Sequence, residues 1–163
     1  MARPTGKQVP DILSRPQAEG QEIANHTYTY PSASTPEELA QEVKLTADVR
    51  FDIHGIYPAL DRPVGGTYHD CIINTAVENG FKVIMWSWHQ DTQDWKRPGV
   101  NQIVSKVLTG AKPGDVVLFH DAGGDRSQTV KALEEMLPAT KQKGYEFVTV
   151  TNLLNRNGIE VFR

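Results

Sequence analysis

A few residues in this chain stand where side chains could do chemistry. His26 follows the short run EIAN on a turn, and Tyr30 comes four residues later. A second imidazole at that spacing would complete half of a metal site, and a neutral imidazole on a pinned turn suits zinc or a similar divalent ion. A phenol, with a pKa near ~10, is a poor zinc ligand at neutral pH. His26 therefore reads either as what remains of a metal centre or as a loop histidine bonded to the backbone. His120 ends the apolar run VVLFHD. It is either a satisfied core histidine or a general acid or base facing a site. Asp91 and Asp94 follow VIMW, and Arg62 follows PAL. A carboxylate beside an imidazole favours its charged form, although Asp94 also reads as a turn or capping aspartate. The arginine fork suits a carboxylate.

The elements that must position these residues are legible from spacing. STPEELAQEVKLTADVRFDIHG predicts a helix with Thr35 as N-cap, Pro36 in its first position, Glu38 three residues after the cap and Gly55 as its stop. TYHDCIINTAVENG sets Tyr68, Cys71, Ile72 and Thr75 at helical spacing, which places the single cysteine in the core. GVNQIVSKVLTG carries the stripe Val100, Ile103, Val104, Val107 and Leu108. SQTVKALEEMLPATKQKG turns Val130, Leu133 and Leu137 inward, with Ser127 as its cap. EIAN, PALD, FKVIMW, VVLFHD and YEFVTV read as strands, and TNLL opens a last short helix.

Strands alternating with helices predict an α/β domain with a mainly parallel sheet. VVLFHD, apolar until its end, fits a strand covered on both faces. His26, Arg62, Asp91, Asp94 and His120 all follow strands, the edge where parallel α/β folds place their chemistry. A doubly wound sheet and a barrel both satisfy this pattern. GGDRSQT lacks the lysine of a phosphate loop and reads as a turn into a helix. His54, His69 and His89 have no partner at metal spacing and read as structural or exposed.

The chain has 163 residues, which suits one domain. A net charge of −3 leaves no basic footprint for nucleic acid. No apolar run reaches the ~20 residues of a membrane span, and the opening residues show no apolar signal-peptide region. One cysteine rules out an internal disulfide.

In chain order, HTYTYP, DRPVGG, DTQDW and LFHD resemble the ordered motifs of the polysaccharide deacetylase (NodB-homology) family. EELAQEV and KGYEFVTVTNLL extend the resemblance, which runs from about Val9 to Leu154. It implies a metal-dependent hydrolase of the carbohydrate-esterase type on an irregular β/α barrel, one domain over residues 9–163 behind a flexible tail at 1–8. It also implies that His26 is the first histidine ligand of zinc or another divalent metal, with Tyr30 at the second ligand position. His120 then corresponds to the general acid, Asp94 to its partner and Arg62 to the residue that orients the base aspartate. Trp95 and Leu118 correspond to the walls of the acetyl pocket, and the Gly65 N–H to the oxyanion hole.

The family's Asp-Asp motif, source of the base and of a metal ligand, has no match, because no two aspartates are adjacent. Its first strand and helix are therefore expected to be missing. That leaves the barrel incomplete or open, with its edges covered by an oligomer or by a separate N-terminal segment. Asp61 before Arg62 and Val64 after Pro63 also depart from the family, and Asp61 adds a negative charge at this turn. Two readings follow. One is a hydrolase that removes N-acetyl groups from glycans containing N-acetylglucosamine, such as peptidoglycan or chitin. The other is an inactive, truncated relative that binds glycan without a metal. Members of the family are usually secreted or associated with the cell wall.

Overall fold

The structure, a computed structural model, describes residues 15–29 and 35–159. The tail expected at residues 1–8 lies outside them. The chain divides into two compact units, one of residues 1–85 with 149–163 and one of residues 86–148.

The first unit is built on helix α1 (Pro36–His54). Its predicted ends are both present. The Thr35 hydroxyl accepts the Glu38 N–H at 3.2 Å, and the Glu38 carboxylate accepts the Thr35 N–H at 2.9 Å. At the other end Gly55 takes the left-handed φ of 68° and donates to the Phe51 carbonyl. Leu39, Val43 and Ala47, spaced four apart, bury one stripe against Ala76 and Phe81. Strand β1 (Leu60–Asp61) pairs in parallel with β2 (Lys82–Val83), in the register Leu60 to Lys82 and Asp61 to Val83. Parallel neighbours need a crossover, and helix α2 (Asp70–Glu78) supplies it. On the other side of β1, Asn25 bridges Asp61, also in parallel.

Helix α2 starts after Tyr68, so that residue is not part of its stripe. Cys71 is exposed rather than in the core, because α2 buries Thr75 and Ala76 instead. Helix α5 (Val150–Arg156) closes the unit. The Thr149 hydroxyl caps it, and Glu22 accepts from the Thr151 N–H and hydroxyl.

The second unit packs helix α3 (Val100–Gly110) against α4 (Ser127–Gln142). Ile103 and Val107 are buried as their spacing predicts. In α4 the buried stripe is Thr129, Ala132, Met136 and Thr140. Val130 and Leu137 are exposed, so the expected inward face is rotated by one position. The segments around 87–91 and 116–118 run parallel. Ser87 N–H donates to the Val116 carbonyl at 2.9 Å, and Asp91 bridges Leu118.

The molecule is thus an α/β fold in which every described strand pairing is parallel. Its strands are much shorter than the apolar runs suggest. FKVIMW is laddered only at Lys82–Val83, VVLFHD only at Leu118, and YEFVTV at no residue. An apolar run favours extended backbone, but a strand also needs a neighbour that completes its hydrogen bonds.

Candidate functional site

In the first unit, the backbone at His26 is held from α1. Asn25, 1% exposed, donates to the Val43 carbonyl at 2.8 Å and accepts the Thr27 N–H at 3.0 Å. Thr27 has a φ of 60°, a strained value for a β-branched residue. Glu42 secures the far side of this turn. It accepts the Tyr28 N–H at 2.9 Å, the Thr29 N–H at 2.5 Å and the Thr29 hydroxyl at 2.9 Å.

The His26 ring hydrogen-bonds through Nδ1 to the Arg62 carbonyl. A carbonyl only accepts, so Nδ1 carries the proton and the lone pair of the neutral ring lies on Nε2. Histidines that bind metals are commonly oriented in this way. Tyr30 lies outside the described residues. Among the described residues no three His, Cys, Asp or Glu side chains stand together as an ion site. Catalytic zinc takes three protein ligands, so the described residues do not fit a metal centre, although His26 is oriented for one.

Arg62 and Gly65 lie beyond β1 in the same unit. Gly65 sits in the 3₁₀ turn Val64–Gly66 with a φ of 62°, exposed to solvent. Asp61 is 2% exposed, and its Oδ1 has no hydrogen-bond partner among the described residues. Burial pushes its carboxyl up to about 6, against the opposing pull of the Arg62 charge. The sequence reading of Asp61 as a fixed negative charge therefore holds only above that pH.

In the second unit, Asp94 and His120 are in direct contact. Asp94 is 1% exposed on the 3₁₀ turn Asp94–Lys96. Its Oδ1 accepts from the His120 ring Nδ1 at 2.7 Å. Its Oδ2 accepts the His120 backbone N–H at 2.9 Å and the Thr129 hydroxyl at 2.8 Å. Burial alone would raise the carboxyl. The donors from His120 and Thr129 outweigh it and hold Asp94 below the usual carboxylate range. An ionised acceptor again sets the tautomer: Nδ1 bears the proton, and Nε2 is the nitrogen left to exchange one.

Trp95, the next residue, is 51% exposed, with the Lys96 ammonium 5.0 Å from its ring centre. Leu118 is buried, and its carbonyl accepts the Thr92 hydroxyl at 2.7 Å. Asp91 serves the turn: its carboxylate accepts the Gln93 N–H at 3.1 Å, where Gln93 has a φ of 50°. His89, read as structural or exposed, pairs with Asp115 at 3.0 Å. Ser127 is not the cap of α4; its N–H is taken by the Asp125 carboxylate at 2.9 Å.

The structure thus joins His26 to Arg62 in one unit and Asp94 to His120 in the other. Spacing did not single out Asn25, Glu42 or Thr129. Asn25 is marked only by its place beside His26, and nothing local marks Glu42 or Thr129, whose partners lie 13 to 35 residues away.

The sequence profile described as polysaccharide deacetylase matches residues 2–84. A peptidoglycan-N-acetylglucosamine deacetylase of Bacillus cereus is 46% identical over 147 residues, 89% of this chain and 68% of that protein. Among solved structures, a family 4 acetyl xylan esterase from Clostridium thermocellum in complex with a cobalt ion has a TM-score of 0.86 at 25% identity, covering 94% of this chain and 74% of that one. A CE4 family pseudoenzyme from Bacillus anthracis has a TM-score of 0.81 at 27% identity, covering 91% of this chain. The chain spans 51% of the length of that pseudoenzyme.

Proposed function

This chain belongs to the polysaccharide deacetylase (NodB-homology) carbohydrate esterase family, and we propose that it hydrolyses N-acetyl groups on glycans containing N-acetylglucosamine, of the peptidoglycan or chitin kind. The observation that carries this reading is the Asp94–His120 contact. Hydrolysis of an acetamide adds the oxygen of water to the carbonyl carbon and breaks the C–N bond, and the departing nitrogen must gain a proton. A ring held by Asp94 at Nδ1, once its Nε2 has taken up a proton, can deliver that proton to the departing nitrogen. Trp95 offers an exposed ring face against which a sugar can stack, and Leu118 contributes apolar wall. By family resemblance, Arg62 is assigned to orienting a carboxylate and the Gly65 N–H to the oxyanion.

Relatives of this kind work with a divalent metal, and one structural neighbour holds cobalt. By family resemblance, His26 is the residue we assign to zinc or a similar divalent ion, with Tyr30 at the second ligand position. Family resemblance supports reading the chain as one domain over residues 9–163, of the family's irregular β/α barrel type.

A second reading is glycan binding without hydrolysis. It is supported by the likeness to a pseudoenzyme. Acetate release from N-acetylglucosamine oligomers with added divalent ion separates the two. Release that His120→Asn abolishes supports hydrolysis. Oligomer binding with no release supports the second reading.

A further inference from the structure

Asp94 is fixed by more than its histidine. The first turn of α4 and the residue Asp125 just before it reach the 94–99 segment three times in all. Asp125 pairs with Arg97 at 2.8 Å, Gln128 Oε1 accepts the Gly99 N–H at 2.9 Å, and the Thr129 hydroxyl lies 2.8 Å from Asp94 Oδ2. Of these only the Thr129 contact is buried on both sides: Thr129 is 4% exposed and Asp94 1%. The Asp125–Arg97 pair, by contrast, is about half exposed on each side and is weak by nature.

We propose that Thr129 is a positioning residue for the proton donor, locking the Asp94 carboxylate so that Oδ1 alone meets the His120 ring. The inference rests on the reading of His120 as the residue that protonates the leaving nitrogen. The chemistry is specific. An ionised carboxylate can only accept, so the Thr129 hydroxyl donates. A threonine in a helix commonly turns its hydroxyl back to the carbonyl four residues earlier, whereas here it goes to another element. Its branched Cβ restricts χ1 and keeps the donor aimed. With Oδ2 occupied by two donors, rotation that would exchange the oxygens breaks two hydrogen bonds as well as the ring contact. Without the hydroxyl, Oδ2 keeps one donor in a buried place, and the ring loses its fixed acceptor.

The test compares wild type with Thr129→Val, which removes the donor, and Thr129→Ser, which keeps it. The ¹⁵N shifts of the His120 ring report the tautomer directly. In wild type and Thr129→Ser the neutral ring is expected as the Nδ1–H form. In Thr129→Val a second tautomer should appear. Acetate release by Thr129→Val should fall about tenfold in kcat with KM unchanged, the fold-change expected for one charge-assisted hydrogen bond. Unchanged His120 shifts in Thr129→Val overturn the proposal whatever the activity. Shifts that move as expected, in a protein whose wild type releases no acetate, leave Thr129 as the positioning residue and remove the proton-donor reading instead. Should Thr129→Val not fold, the wild-type hydroxyl decides. A Thr129 hydroxyl proton protected from exchange with water is expected, and free exchange overturns the proposal.

Discussion

Asp94 meets His120 at both carboxylate oxygens, the ring Nδ1 on Oδ1 at 2.7 Å and the backbone N–H on Oδ2 at 2.9 Å. Two points of contact tie the ring to its own main chain through one buried anion. That fixes the tautomer and the ring direction together, which a single hydrogen bond does not do.

Replacing Asp94 by Asn should lower acetate release by about 10²–10⁴-fold, the usual worth of a placed acid or base. The amide cannot accept from every donor around it, because its NH₂ must face either the ring N–H or the His120 and Thr129 donors. Stability should change with pH as well. The Asp94 carboxyl lies below its ordinary value, so its contribution is present above the ordinary range and is lost as pH falls through the lowered folded value. Acid denaturation of Asp94→Asn should show a shallower limb below about pH 4. An unchanged limb would contradict the assignment.

Asp61 should act with the opposite sign. Its folded pKa of about 6 lies above the ordinary 3.8. Its neutral form is therefore favoured by folding, and that advantage is lost as pH rises through about 6. That difference corresponds to about 3 kcal/mol at most. Urea midpoints of wild type relative to Asp61→Asn should fall between pH 4 and 7. A flat difference would show that the carboxyl is solvated or paired in solution.

Glu42 should hold the turn after His26. Changing it to Ala removes the acceptor of the Tyr28 and Thr29 N–H groups. Hydrogen exchange at those two amides should then quicken at least tenfold, while amides in α4 keep their protection. Equal exchange in the variant would mean that Asn25 alone sets the turn.

At the start of α1, Thr35→Ala should destabilise the protein by about 1 kcal/mol, the ordinary value of an N-cap. Thr35→Ser should be near neutral. The denaturation midpoint checks both.

The helices were legible because their ends are local chemistry. Thr35, Pro36, Glu38 and Gly55 decide α1 without help from the rest of the chain. The strands were less legible, since VVLFHD and FKVIMW specify an extended backbone but not the neighbour that ladders them. Val130 and Leu137 were misplaced because α4 buries the stripe Thr129, Ala132, Met136 and Thr140, one position round from the apolar one. Cys71 shows the same limit: apolar character at helical spacing does not say which flank of the stripe meets the core. In the site, Asp94 and His120 were found by position after apolar runs. Thr129 was not, because its partner lies 35 residues away and nothing local marks it.

The most direct test of the account is acetate release from an N-acetylglucosamine oligomer by wild type, Asp94→Asn and His120→Asn, with a divalent ion added and oligomer binding followed in parallel. The account predicts release by wild type, background release by both variants, and similar oligomer binding by all three. Release that survives loss of His120 would contradict the proton-donor assignment. Binding without release in the wild type would contradict hydrolysis and leave a glycan-binding domain.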